Sequence, residues 1–215
     1  MSHDRHVYGD YERPELVQFL PSGANRVLDV GCGGGAFGAL LKQLHPRIEV
    51  VGVESDGVAA ERAASRLDAV VVGAFPEKCP EGPFDVVFLN DVIEHMEDPR
   101  PALSAAKALT TSLVVSIPNV RHIDVLLDLV VRDEWRYRAE GVLDRTHLRF
   151  YTRTSATRLL NESGYSVVRV APINRHSWNR TVDRLLRLLR DTRFHPQQFA
   201  FVAHVEKSPD DRRIA

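Results

Sequence analysis

Arg26-Val27-Leu28-Asp29-Val30-Gly31-Cys32-Gly33-Gly34-Gly35-Ala36-Phe37-Gly38-Ala39-Leu40-Leu41 contains a change of period. Val27, Leu28 and Val30 form a short apolar run, a glycine cluster follows, and Phe37, Leu40, Leu41 and Leu44 then recur at helical spacing. The order is strand, tight glycine turn, helix. Glycine at such a turn admits positive φ and lets a ligand approach the backbone with no Cβ in the way.

The spacing admits two ligands. Gly31, Gly33 and Ala36 satisfy the dinucleotide pattern G-x-G-x-x-G/A. Gly31, Gly33 and Gly35 equally satisfy G-x-G-x-G. Asp29 favours the second, because a carboxylate before the turn suits a cationic ligand and crowds a pyrophosphate. The run Val-Leu-Asp-Val-Gly-Cys-Gly-Gly-Gly resembles motif I of the class I S-adenosylmethionine-dependent methyltransferases. The resemblance implies that Asp29, Gly31, Cys32, Gly33 and Gly35 bind the cofactor.

Outward from the turn, Ile48 to Glu54 is a near-continuous apolar run, as expected of a buried parallel strand. Glu54 ends it about 20 residues past the glycines, the place of an acid that accepts from ribose hydroxyls. Ser55 joins it in the cofactor set, and Ser55-Asp56 offers an N-cap for a helix through Leu67. Ala69–Val72 reads as the third strand. Where the resembling family usually carries an acidic or amide residue for adenine, this chain has Ala74, which leaves adenine to backbone groups and to Phe75.

Phe84-Asp85-Val86-Val87-Phe88-Leu89-Asn90-Asp91-Val92-Ile93-Glu94-His95 is the second signal. A buried strand ends at Asn90-Asp91, and ligands of open α/β sheets sit at the carboxyl ends of strands. This segment resembles the one after the fourth strand in many class I methyltransferases, including the ubiquinone-type O-methyltransferases. Dinucleotide enzymes have no matching element, so the turn is assigned to S-adenosylmethionine. His95 reads either as a general base, since imidazole titrates near neutrality, or as a structural histidine beside the cofactor.

Residues 134–152 are too rich in Arg, His and aromatics for a routine connector. Gly141-Val142-Leu143-Asp144-Arg145-Thr146-His147-Leu148-Arg149-Phe150-Tyr151-Thr152 resembles a subgroup of these methyltransferases met in bacterial glycan and cell-surface polysaccharide pathways. Asp144 and His147 are close enough for the acid to orient an imidazole that takes a hydroxyl proton. The alternative is an ion-pair network of Asp144, Arg145, His147 and Arg149 that holds a lid. Trp135 and Tyr137 suit an acceptor pocket, by stacking on a sugar or base, or simple lid packing.

The 215 residues fit a single domain, with 11–118 as a cofactor half, 119–206 as acceptor lid and C-terminal hairpin, and flexible ends at 1–8 and 207–215. The expected architecture is a Rossmann-like, doubly wound sheet of seven mostly parallel strands with a C-terminal antiparallel hairpin. An N-terminal helix from Tyr11 to Leu20 brings Tyr8, Tyr11 or Arg13 to the methionyl carboxylate. A basic helix from Trp178 to Arg190 offers a homodimer contact, an anionic-acceptor patch or plain packing.

With 28 basic and 29 acidic residues there is no nucleic-acid footprint. No apolar run is long enough for a membrane span, and no secretory signal is evident, so the expected location is the cytoplasm. Cys32 and Cys79 read as free thiols. No metal-ligand cluster stands out, and methyl transfer from an activated donor requires none. The expectation is an S-adenosylmethionine-dependent enzyme that O-methylates a small acceptor, a sugar, sugar nucleotide or glycan precursor. Quinone, amine or protein acceptors, a non-catalytic cofactor-binding module and an NAD-dependent oxidoreductase are the alternatives.

Overall fold

The computed structural model describes residues 10–175 and 196–206. The seven strands are β1 (Arg26–Val30), β2 (Glu49–Glu54), β3 (Ala69–Val72), β4 (Val86–Asn90), β5 (Ser112–Pro118), β6 (Tyr165–Arg175) and β7 (Pro196–Val205). They form one sheet in the order β3-β2-β1-β4-β5-β7-β6. The first five strands run parallel. β7 enters antiparallel between β5 and β6. The expected doubly wound sheet with its antiparallel end is the observed one.

Side chains of successive strand residues point to opposite faces, so an apolar run fills both. Val27, Val86 and Phe88 pack on one face with Phe37 and Leu41 of α1 (Ala36–Leu44). Leu28, Val30, Val87 and Leu89 pack on the other with Leu103 and Ala106 of α3 (Arg100–Leu109). Alongside lie α2 (Gly57–Ala64), α4 (Ile123–Val131) and α5 (Arg153–Glu162). Asp56 caps α2 by accepting from the Ala59 N–H, and Thr152 and Ser155 form a reciprocal capping box on α5.

Boundaries differ from expectation at the N-terminal segment and at α2, which ends at Ala64 rather than Leu67. The N-terminal segment is a 3₁₀-helix over Pro14–Phe19 rather than a helix from Tyr11; Arg13 before it has φ +51 and Pro14 starts the turn. α4 begins at Ile123, because Asn119 and His122 close a turn first and His122 accepts from the Asp124 N–H. β6 runs on to Arg175 beside β7. The basic segment from Trp178 to Arg190, Tyr8 and the two expected flexible ends lie outside the described residues.

Candidate functional site

β1 and β4 are neighbours with no helix between them on the sheet, so their carboxyl ends leave a crevice where strand order reverses. A cavity of about 830 Å³ opens there. One end is lined by Asp29, Gly31, Cys32, Gly33, Glu54 and Ser55, the middle by Asn90 and Asp91, the other end by His95, Asp144 and His147. Tyr11 and Arg13 close the side.

The glycine turn has the strained geometry its composition requires. Gly31 sits at φ +68 and Gly33 at φ +53. The N–H groups of Gly31 and Cys32 both donate to the Val53 carbonyl, at 2.8 and 3.2 Å. A Cβ on Gly31 would stand 2.8 Å from Val92 Cγ2, whereas one on Gly33 would meet nothing within 4 Å and project into open space. Gly33 donates to Glu54 Oε2 at 2.8 Å, and Asp56 N–H donates to Oε1 at 2.8 Å. Glu54 is thus aimed across the turn from the end of β2.

Asp29 is buried, and its Oδ2 has no hydrogen-bond partner among the described residues. Burial first, then the charge of Glu54, pushes its pKa up to about 7 against the opposing pull of Arg13. Burial, with Asp29 and Glu54 nearby, also drives the Cys32 thiol up, so it is a packing group and not a thiolate. Both polar atoms of the Asn90 side chain are buried without partners among the described residues.

Asp91, at φ +54, accepts from Arg13 Nη1, from Ser116 Oγ at 2.8 Å and from Gln198 Nε2 at 3.1 Å. Arg13 also donates to Glu15 at 2.7 Å and to Gln198 at 2.9 Å. The expected carboxylate-binding guanidinium therefore lines the cavity while already engaged with two acids. Gly35, Ala74 and Phe75 are not among the lining residues. Gly35 caps α1 at φ +80, and the Phe75 ring is buried in the core against the sheet.

At the far end, the segment after β4 and the 141–149 loop are bound together. The Glu94 carbonyl accepts from the N–H groups of Leu148 and Arg149 at 2.8 and 3.0 Å. Arg149 donates onward to the Glu97 carbonyl. His147 Nδ1 lies 3.0 Å from the Val142 carbonyl, which orients this ring. Asp144 Oδ1 accepts from Thr146 N–H at 2.7 Å and Thr146 Oγ1 at 2.6 Å. His95 Nδ1 is 3.2 Å from both Thr146 O and Thr146 Oγ1. Asp144 thus acts on His95, through Thr146.

The two imidazoles meet edge to face at 4.8 Å, and His147 continues to Phe150, which touches Trp135 and Tyr137. Burial and then the neighbouring His147 hold His95 below its ordinary pKa, so its ring is neutral at pH 7. The residues that sequence reasoning passed over are Glu94, Thr146, Ser116 and Gln198. Only Glu94 carried a local signal, its place beside His95.

The profile of the family described as "Methyltransferase domain" matches residues 3–170. A ribosomal RNA small subunit methyltransferase C of Photobacterium profundum is 28% identical over 127 residues, 57% of this chain and 36% of the relative. A malonyl-[acyl-carrier protein] O-methyltransferase of Legionella pneumophila is 36% identical over 85 residues, 37% of this chain and 30% of the relative. The chain thus spans about a third of the length of these curated relatives. A solved S-adenosylmethionine-dependent methyltransferase from Archaeoglobus fulgidus shares the fold at a TM-score of 0.63 and 22% identity, over 88% of this chain and 91% of that one. Among the described residues no helix is long and apolar enough to cross a membrane.

The residues present fit the cofactor. Asn90 and Asp29 line the cavity and carry buried polar atoms without partners among the described residues, two acids answer a cationic and hydroxyl-bearing ligand, and Gly33 leaves space where a Cβ would stand. Family profile, sheet order and cavity chemistry agree: the chain belongs to the class I S-adenosylmethionine-dependent methyltransferases, with S-adenosyl-L-methionine as its cofactor.

Proposed function

We propose that the protein methylates a hydroxyl of a small acceptor, a sugar or glycan precursor. The observation that carries this reading is the single cavity that joins the acidic, glycine-lined end to His95 and His147. Bound S-adenosylmethionine supplies an electrophilic methyl on a cationic sulfur; the protein's own task is to align a hydroxyl and receive its proton. Asp29, Glu54 and Asn90 hold the donor, and alignment of this kind accounts for roughly 7–11 kcal/mol of a barrier. His95 and His147 meet the acceptor hydroxyl. In each ring Nδ1 faces a carbonyl, which only accepts, so Nδ1 carries the proton and Nε2 the lone pair.

Support for a sugar comes from the rings that continue from His147 through Phe150, just outside the residues that line the cavity. Trp135 and Tyr137 are 38% and 50% exposed while they touch Phe150, an aromatic surface suited to the apolar face of a sugar ring. The relatives named above act on ribosomal RNA and on malonyl-[acyl-carrier protein], so kinship alone leaves the acceptor open.

The test is release of S-adenosylhomocysteine with a panel of free sugars, nucleotide sugars, quinols, amines, acyl carrier protein and RNA. Turnover confined to sugar-bearing acceptors is the expected result. Turnover with quinols, amines, protein or RNA and none with sugars overturns the reading.

A further inference from the structure

We infer that Glu94, His95 and His147 form a binding site for a divalent transition-metal ion at the acceptor end of the cavity. One ligand atom from each of the three lies within 4.8 Å of the other two, although the loop that carries His147 is remote in sequence from the turn that carries the other pair. Two histidines and one carboxylate, with the remaining positions open to the cavity, are a donor set suited to Zn²⁺, Co²⁺, Fe²⁺ or Mn²⁺.

Three observations make this a built site rather than a chance cluster. First, both rings are held as metal-binding histidines are held, by an Nδ1–H bond to an oxygen that fixes the tautomer and points Nε2 elsewhere. Val142 O serves His147 at 3.0 Å, and Thr146 serves His95 at 3.2 Å. Thr146 is itself braced, because its hydroxyl donates to Asp144 at 2.6 Å.

Second, Glu94 is 1% exposed, and neither carboxylate oxygen has a hydrogen-bond partner among the described residues. A carboxylate so deeply buried is ordinarily paired with a cation or coordinated to a metal. The two histidines each bring a ligand atom within 4.8 Å of it. Third, the turn and the loop are locked together by the Glu94 carbonyl, so the ligands approach each other on tied backbone. Ligand atoms on bonds of about 2.0–2.2 Å stand roughly 3–3.5 Å apart, so the three groups draw together when the ion binds.

The role of the ion rests on the function proposed above. An acceptor hydroxyl that occupies an open position is acidified by the ion. Its O–H bond breaks, the proton passes to solvent water, and the oxygen keeps the electron pair for the methyl group. With the ion bound, His95 and His147 give their Nε2 lone pairs to it and do not receive the proton themselves; the acceptor meets them through the ion.

The site is tested on the full chain after dialysis against a chelator, by titration with Co²⁺ followed in the visible spectrum and by calorimetry. The expected result is a saturable absorption from Co²⁺ bound through nitrogen and oxygen, displaced by Zn²⁺. Glu94→Gln and His147→Ala are each expected to weaken Co²⁺ binding more than tenfold. Thr146→Val, which leaves all three ligands and the Thr146 carbonyl in place and removes the hydroxyl brace to Asp144, is expected to weaken it several-fold. Circular dichroism and S-adenosylmethionine binding check that each variant is folded, and Thr146→Val keeps the test open where Glu94→Gln does not fold. Absence of saturable binding, or variants that bind as the parent does, overturns the site. If the ion binds and no sugar is methylated, the proposed function fails and the site stands. If sugar turnover is undiminished in metal-free protein, the role given to the ion fails.

Discussion

Replacing Asp29 with Asn separates what this carboxylate costs the fold from what it gives the ligand. The side chain is 2% exposed, and burial and Glu54 raise its pKa from 3.8 to about 7. Between about pH 4 and 7 the native state holds a proton that the unfolded chain has released. Stability therefore falls as pH rises through that window and levels off above it. A shift of roughly three units corresponds to a destabilisation of about 4 kcal/mol at pH 8 and less than half of that at pH 5.

Asparagine cannot ionise, so Asp29→Asn removes this slope. The gain in stability from the substitution is expected to be larger at pH 8 than at pH 5 by about 2–3 kcal/mol. The same change takes away a charge that faces the cationic cofactor, and S-adenosylmethionine affinity is expected to fall at least tenfold. In the parent, affinity is expected to weaken by roughly tenfold per unit below about pH 7, as the carboxylate takes up its proton. Urea unfolding at the two pH values and calorimetric titration with S-adenosylmethionine measure all three quantities. A stability difference that does not change with pH, or cofactor affinity untouched by the substitution, refutes the reasoning.

Glycine positions in the turn separate in the same way. Gly33→Ala, whose Cβ meets open space, is expected to lower stability by about 1–2 kcal/mol for its positive φ and to abolish measurable cofactor binding. Gly35→Ala sets a Cβ 3.0 Å from the Ala63 backbone and is expected to lose more stability, seen as the larger fall in Tm. Glu54→Gln gives up a charged acceptor of the Gly33 and Asp56 N–H groups; cofactor affinity is expected to drop by about 1.5–3 kcal/mol in calorimetry. Phe75→Ala is expected to cost about 3–5 kcal/mol in urea unfolding, as a core ring, while the folded variant binds S-adenosylmethionine as the parent does. A loss of affinity there with stability intact would return Phe75 to the cofactor site.

The parts of the site visible in the sequence are those carried by one strand and the turn after it. Asp29, Gly31, Gly33, Glu54, Asn90 and Asp91 each follow an apolar run that buries itself in a parallel sheet, so their place at the strand ends comes with the strands. Contacts made across the chain were not visible. Asp144 and His147 are three positions apart, which suggests a pair; that the imidazole meets Val142 O and the carboxylate meets Thr146 comes from tertiary packing. Glu94 carries in sequence only its place beside His95; its burial between the β4 turn and the 147–149 loop comes from packing. Phe75, judged by the loop it begins, was expected beside the cofactor; its size and apolarity send it into the core.

The central claim is that one cavity brings an activated methyl to a sugar hydroxyl. Mass spectrometry of a sugar or nucleotide-sugar acceptor, incubated with the purified protein and S-adenosylmethionine, tests it most directly. The account predicts a product that carries one added methyl on oxygen, formed together with S-adenosylhomocysteine and lost in Gly33→Ala. Methyl transfer confined to a quinol, an amine, a protein or RNA, or S-adenosylmethionine bound with no acceptor ever modified, would contradict it.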